Sequence, residues 1–359
     1  MKVSQHGTAV IQIVLSFTLT GVAFLPPLSL RKPNFSTPRR SFDLKRGENY
    51  GAANNSTIPT AAESAAAVGV RPPLDVSAKV WKRAWLCFGA TLPVLHALDS
   101  HKPPDSKLAL HCLWWKALSG NDRRSPVYDE NLAYDLLPRM SRVVVGKKLR
   151  RFFPRLHHAN VEIRTAFLDR AVSNLAQEMK GVSDVQIRLV TLGAGYDVRS
   201  IKLVERGIVD QAVELDLPSV VEAKSKILNS KRFKRRRPWL TKRSLPELYP
   251  VNLNQLMDVE NILQSILLKA DDSWHTIFLF EGVMIYLDEG VPAGLLELTS
   301  RVLHATGGKG SLVFADRLEN IPGGDLHIGR EELARNGWEI TEWLPKPGLA
   351  RHMGCAKLT

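Results

Sequence analysis

Cysteine is scarce in this 359-residue chain: Cys87, Cys112 and Cys355 lie far apart, and no C-x-x-C pair occurs. A disulfide scaffold and a cysteine-rich zinc site are thereby excluded. Long apolar runs are missing too. The stretch from about Ala9 to Leu19 falls short of the roughly 20 apolar residues a membrane-spanning helix needs. Acidic residues are in deficit, 36 against 49 Lys+Arg, for a formal net charge of +13. There is no internal repeat. What remains is ordinary for a globular protein: 44% hydrophobic and 24% charged residues exclude wholesale disorder, collagen and a multispan membrane protein. At roughly 150 residues per domain, the length allows one large domain or two modest ones. The basic balance points to nucleic acid, an anionic substrate or a targeting leader.

Part of that charge lies at the start. From Met1 to Phe42 there are five basic residues and no acidic one. Lys2 precedes the short apolar stretch, and Gly21-Val22-Ala23 supplies the small residues of a signal-peptidase site. Phe24-Leu25-Pro26 follows, then a segment rich in Arg, Ser, Pro and Thr. The pattern resembles the two-part presequence of plastid proteins in algae with complex plastids. Residues 1–23 are thus expected to be a signal peptide and 24–75 a transit-like segment and linker. The expected destination is a plastid, with secretion or an endomembrane lumen as the alternative. The folded part is expected over 76–359.

Trp81, Trp85, Phe88 and Leu92 share one helical face, broken by Gly89 and Pro93, so helices packing on a core or covering a cleft are expected at about 80–118. Further on, Asn160 reads as an N-cap for a helix with Ile163, Phe167, Ala171, Leu175 and Met179 along one face. Branched, apolar strand candidates follow at Gln186–Leu192, Ala212–Leu215, Thr276–Phe280 and Ser311–Ala315. Helical stretches at about Leu217–Leu228, Asn254–Lys269 and Glu289–His304 alternate with them. This alternation predicts a doubly wound, mostly parallel α/β sheet whose ligand lies beyond the C-terminal strand ends.

At the end of the first strand stands Gly193-Ala194-Gly195, a tight turn able to approach a ligand closely. Asp216 closes the second strand, 23 residues beyond Gly193. An acidic side chain about 20 residues on is placed to accept hydrogen bonds from ribose hydroxyls. A dinucleotide fingerprint would have a third glycine at position 198, where this chain has Val198. A nucleoside-containing methyl donor is therefore favoured over a dinucleotide.

Five stretches in order carry a more specific signal: Arg164-Thr165-Ala166-Phe167-Leu168-Asp169, Leu192-Gly193-Ala194-Gly195-Tyr196-Asp197-Val198-Arg199, Glu214-Leu215-Asp216-Leu217-Pro218, Pro250-Val251-Asn252-Leu253 and Glu281-Gly282-Val283-Met284-Ile285-Tyr286-Leu287. Together they resemble the leucine carboxyl methyltransferase-like family of S-adenosylmethionine-dependent O-methyltransferases, from roughly Arg124 to Trp343. The resemblance implies a seven-stranded, Rossmann-like class I methyltransferase sheet with an N-terminal helical cap. It also implies S-adenosyl-L-methionine as methyl donor and no resident metal. Arg164 would pair with the donor's carboxylate, Gly193 and Gly195 would wrap its methionine part, and Asp216 would hold the ribose. Asn252 and Leu253 would flank adenine, and Glu281 would face the ammonium end. The family usually has Asp where this chain has Asn252, whose amide both donates and accepts.

The acceptor implied is a carboxylate or hydroxyl oxygen of a protein C-terminus or small molecule. A carboxylate is ionised near neutrality and needs no base, whereas a hydroxyl does. His157 and His158 are the nearest candidates, and neither is assigned that role. The run Lys231 to Arg237 reads as a solvated basic loop. Competing readings are a nucleotide-dependent oxidoreductase and a non-catalytic RNA-binding protein using that loop; nucleic acid is not the expected partner.

Overall fold

The computed structural model describes residues 104–120, much of 123–142, and 156–359 apart from 183, 269–272, 317, 319–325 and 345–351. The leader, the linker and the Trp81–Leu92 face lie outside the described residues. In chain order the elements are α1 (Pro104–Gly120), α2 (Leu132–Leu136), α3 (Leu156–Val182), β1 (Gln186–Leu192), α4 (Arg199–Glu205), β2 (Gln211–Asp216), α5 (Pro218–Asn229) and α6 (Lys231–Arg236). They continue with β3 (Glu247–Pro250), α7 (Leu256–Leu267), β4 (Trp274–Glu281), α8 (Val291–Ala305), β5 (Lys309–Asp316), α9 (Leu326–Arg335), β6 (Trp338–Leu344) and β7 (His352–Leu358).

The seven strands form one sheet in the order β3-β2-β1-β4-β5-β7-β6. Contacts are parallel from β3 through β5, and β7 runs antiparallel to both its neighbours. This is the doubly wound, mostly parallel class I sheet the sequence predicts. Its central strands are buried on both faces, which is why they read as continuous apolar runs. Ile187 and Leu189 pack with Phe167, Leu168 and Val172 of α3. Val190 and Leu192 point to the other face, where α7 and α8 contribute Val259, Leu263, Leu295 and Val302. A third cluster joins α1, α2, α5 and α6 through Leu113, Trp114, Leu136, Val220 and Phe233. It forms the N-terminal cap over one end of the sheet.

Two local readings change. Asn160 lies inside α3, which begins at Leu156, so it is not an N-cap; the buried face of Ile163, Phe167 and Ala171 is as expected. The Lys231–Arg237 run is not a solvated loop. Ser230 caps a short helix by accepting from the Phe233 amide at 3.1 Å. Phe233 is buried in the third cluster, and Arg237 donates to Asp135 of α2 at 2.9 Å. An apolar anchor hidden among six cations gave the run its solvated look.

Candidate active site

Strand register builds the site. Leu192, the last residue of β1, pairs with Leu215 on one side and Phe280 on the other. The residue after each, Gly193, Asp216 and Glu281, therefore emerges at the same level. Asp216 pairs with Pro250, which sets Asn252 and Leu253 just beyond β3. The strand order reverses about β1 and β4, so these ends frame the crevice where such sheets bind ligands.

A cleft of about 230 Å³ opens there. Arg164, Gly193, Gly195, Asp216, Asn252, Leu253 and Glu281 all line it, so the seven predicted residues converge on one space. Ala109, Cys112, Leu113 and Lys116 of α1 close one side, with Tyr286 and Leu287 beyond β4.

The glycine turn is sterically committed. Gly193 has φ +72°, and a Cβ there would stand 2.3 Å from Val283 Cγ2. Gly195 has φ +53°, a left-handed conformation that side chains disfavour. The Gly193 amide donates to the Leu215 carbonyl at 2.8 Å. Gly195 N–H donates to Asp216 Oδ2 at 2.5 Å, and Leu217 N–H to Oδ1 at 2.7 Å. Burial raises the Asp216 carboxyl from its ordinary value against those two hydrogen bonds. The Val283 and Met284 amides donate to the buried Asp316 carboxylate at 2.6 and 2.9 Å, fixing the turn after β4.

Glu281 is the electrostatic centre. It meets Lys116 at 2.8 Å, Arg164 Nε at 2.8 Å and Arg199 at 2.9 Å. Burial alone would raise its carboxyl, but Lys116, Arg199 and Arg164 together hold it down at about 2. Lys116 also reaches Asp197 at 3.2 Å, and Arg199 bridges Asp197 and Asp169. Such buried ions are tolerable only as a connected set. Sequence reasoning expected Glu281 to face an ammonium group; it lines the cleft, and three cations of the chain surround it there, so that it also orients Arg164 and Lys116. Lys116 itself was missed. It sits on a tryptophan-rich helix that reads as packing, and nothing local marks it.

The residues suit an S-adenosylmethionine-like ligand. Arg164 uses Nε for Glu281 and Nη2 for Cys112 Sγ at 3.5 Å. Its Nη1 has no bond among the described residues, so part of the guanidinium remains available at the cleft wall. No cluster of His, Cys, Asp or Glu able to hold a metal occurs among the described residues.

The sequence model of leucine carboxyl methyltransferase matches residues 109–299, just over half the chain. The chain belongs to the leucine carboxyl methyltransferase family. As such it is an S-adenosylmethionine-dependent methyltransferase, S-adenosylmethionine being the family's donor. No curated protein matches it. Similar solved structures include magnesium protoporphyrin IX methyltransferase from Synechocystis PCC 6803 with bound S-adenosylmethionine, at 12% identity and a TM-score of 0.36, covering 56% of this chain and 83% of that one. A bacterial Hen1 methyltransferase domain is similar at 13% identity and a TM-score of 0.34, covering 52% of this chain and 97% of that one. As a member of the leucine carboxyl methyltransferase family, the chain carries the family match across α1, where Lys116 lies, as well as the strand ends.

Proposed function

We propose that the chain methylates a carboxylate oxygen on a protein C-terminus or a small-molecule acid. The observation that carries this reading is the ionic state of the cleft. Among the described lining residues there is no histidine, and Glu281 is pinned at about 2 by three cations. A group so acidic cannot take a proton from a hydroxyl near neutrality. A carboxylate acceptor needs no such step, because it is already ionised.

Bound S-adenosylmethionine supplies a methyl group on a sulfonium, open to in-line displacement. The chain's own residues hold and orient. Arg164 Nη1 and Lys116 would take the donor's carboxylate, with Glu281 fixing both cations. Asp216 would accept from the ribose hydroxyls with the lone pairs that Gly195 and Leu217 leave free. Asn252 Oδ1 closes a turn by accepting from the Asn254 amide at 3.1 Å, which leaves its NH2 for an acceptor nitrogen of adenine. Buried Leu253 would lie against the adenine ring. Rate enhancement then rests on holding the acceptor oxygen in line, an effect worth about 7–11 kcal/mol in favourable cases.

The test is transfer of a labelled methyl group from S-adenosylmethionine to peptides ending in a free leucine carboxylate and to small acids. A carboxyl methyl ester releases volatile methanol in mild alkali; an alkali-stable label overturns the reading. Calorimetry with S-adenosylhomocysteine and NAD checks the nucleoside pocket separately.

A further inference from the structure

Away from the cleft, on the outer side of the helical cap, a second and more open groove of about 650 Å³ lies between α2 and α6. Tyr128, Tyr134, Trp239 and Arg123 line it. Trp239 is 55% exposed, unusual for an indole, and the guanidinium of Arg237 lies 5.4 Å from its ring centroid. Arg237 is in turn buried and held by Asp135, which also receives Arg236 at 2.5 Å. The exposed ring is thus backed by a fixed cation on a fixed helix. From Lys231 to Arg243 the chain carries eight lysines and arginines and no acidic residue. Lys231, Lys234, Arg235, Arg236, Lys242 and Arg243 are exposed.

Nothing in methyl transfer uses this face, yet it keeps a large aromatic side chain in water and crowds like charges around it. Both features are costs that a bound partner would offset. Trp, Tyr and Arg are the residues that dominate protein–protein binding energy, and a cationic rim selects the sign of the partner. We propose that this groove docks an acidic stretch of a protein partner, with an apolar or aromatic side chain of that stretch against Trp239. A nucleic acid strand fits less well. Stacking successive bases needs several free aromatic faces. Here one indole is exposed with one face covered by Arg237, while Tyr134 is tied by its hydroxyl to the Arg142 carbonyl at 3.2 Å.

The test uses the full chain and fluorescence anisotropy with three probes: a fluorescein-labelled peptide of Asp and Glu around a central Tyr, its counterpart with Lys for every acid, and a ten-nucleotide oligouridylate. The acidic peptide is expected to bind, more weakly as salt rises. Trp239→Ala, and separately Lys234→Glu with Arg235→Glu, should each lower its affinity by about tenfold or more. These side chains lie outside the cleft, so calorimetric S-adenosylhomocysteine binding should be unchanged. That control separates the groove from the methyl-transfer reading. The proposal is overturned if the acidic peptide does not bind, if both variants bind it like the parent, or if oligouridylate binds more tightly than the peptide.

Discussion

Two carboxylates at the ends of the two strands that flank β1 do different work because their partners differ. Among the described residues Asp216 accepts only from two backbone amides, and the ribose hydroxyls it would hold are common to S-adenosylmethionine and S-adenosylhomocysteine. Asp216→Ala should therefore weaken both ligands alike, by about 1.5–3 kcal/mol for a lost charge-assisted bond. Equal calorimetric affinities before and after the change would mean that the ribose sits elsewhere. Glu281 offsets three cations. Glu281→Gln removes the carboxylate that offsets Arg164 and leaves Lys116 and Arg199 to Asp197 and Asp169 alone. The cleft becomes more positive, so the sulfonium of the donor should lose more affinity than the neutral sulfur of the product; an equal loss would contradict this. Asp129 supplies a residue-level pH effect. It accepts from the Leu132 and Ala133 amides, yet burial lifts its carboxyl to about 6. A raised carboxyl binds its proton more tightly when folded, so its ionisation costs stability. That cost grows as pH rises from about 4 through about 6 and amounts to at most about 3 kcal/mol. Denaturant titrations at pH 4.5 and 7.5 should show a smaller loss of stability in Asp129→Asn than in the parent. Glu281 acts in a separate window, because its depressed value makes it lose stability only as pH falls toward about 2.

At the scale of elements, the sequence disclosed those strands whose burial is two-sided. β1 matches Gln186–Leu192 residue for residue, and β2, β4 and β5 each extend the expected apolar run by one or two residues at their ends. β3, β6 and β7 were not legible. β3 is four residues ending in Pro250, and β7 carries Gly354, Cys355 and Ala356 where a strand signal needs branched side chains. β6 alternates polar and apolar residues but needs β7 between it and β5 to join the sheet. The candidate site was legible where residues sit in a motif, as with Gly193 and Asp216, and illegible where function depends on a helix folding back, as with Lys116. The glycine turn tests the same lesson. Gly193→Ala must adopt φ +72° and push Val283, whose Cγ2 would lie 2.3 Å away. The backbone part costs about 1–2 kcal/mol. Adding Val283→Ala removes the Cγ2 contact but keeps the Val283 Cβ, 2.7 Å from the added methyl, so it should recover only part of the steric cost and leave the backbone part, as read by urea denaturation. Full recovery would mean that the conformation itself carries no strain.

At the scale of the whole molecule, the basic surplus divides between two places with different physical meaning. One part is built into the fold, on α6 and the segment after it, where Phe233 and Arg237 anchor it. The other part lies in residues 1–42, where five cations face no acid and no periodic apolar face accompanies them. Charge without a hydrophobic face cannot drive folding, and we propose that this segment is an address rather than part of a core. It combines a short apolar stretch, small residues at Gly21-Val22-Ala23 and an aromatic at Phe24, followed by a basic, Ser- and Pro-rich run. On that reading, a fluorescent reporter carrying residues 1–75 is expected to enter the secretory route and finish in a plastid. Phe24→Ala should leave signal cleavage intact, since the small residues before it are untouched, and should stop the reporter short of the plastid. The measurement is microscopy of both reporters with immunoblotting for the cleaved form in a cell with a complex plastid. A parent reporter recovered from the medium would show that the segment after Phe24 is a tail and not a second address.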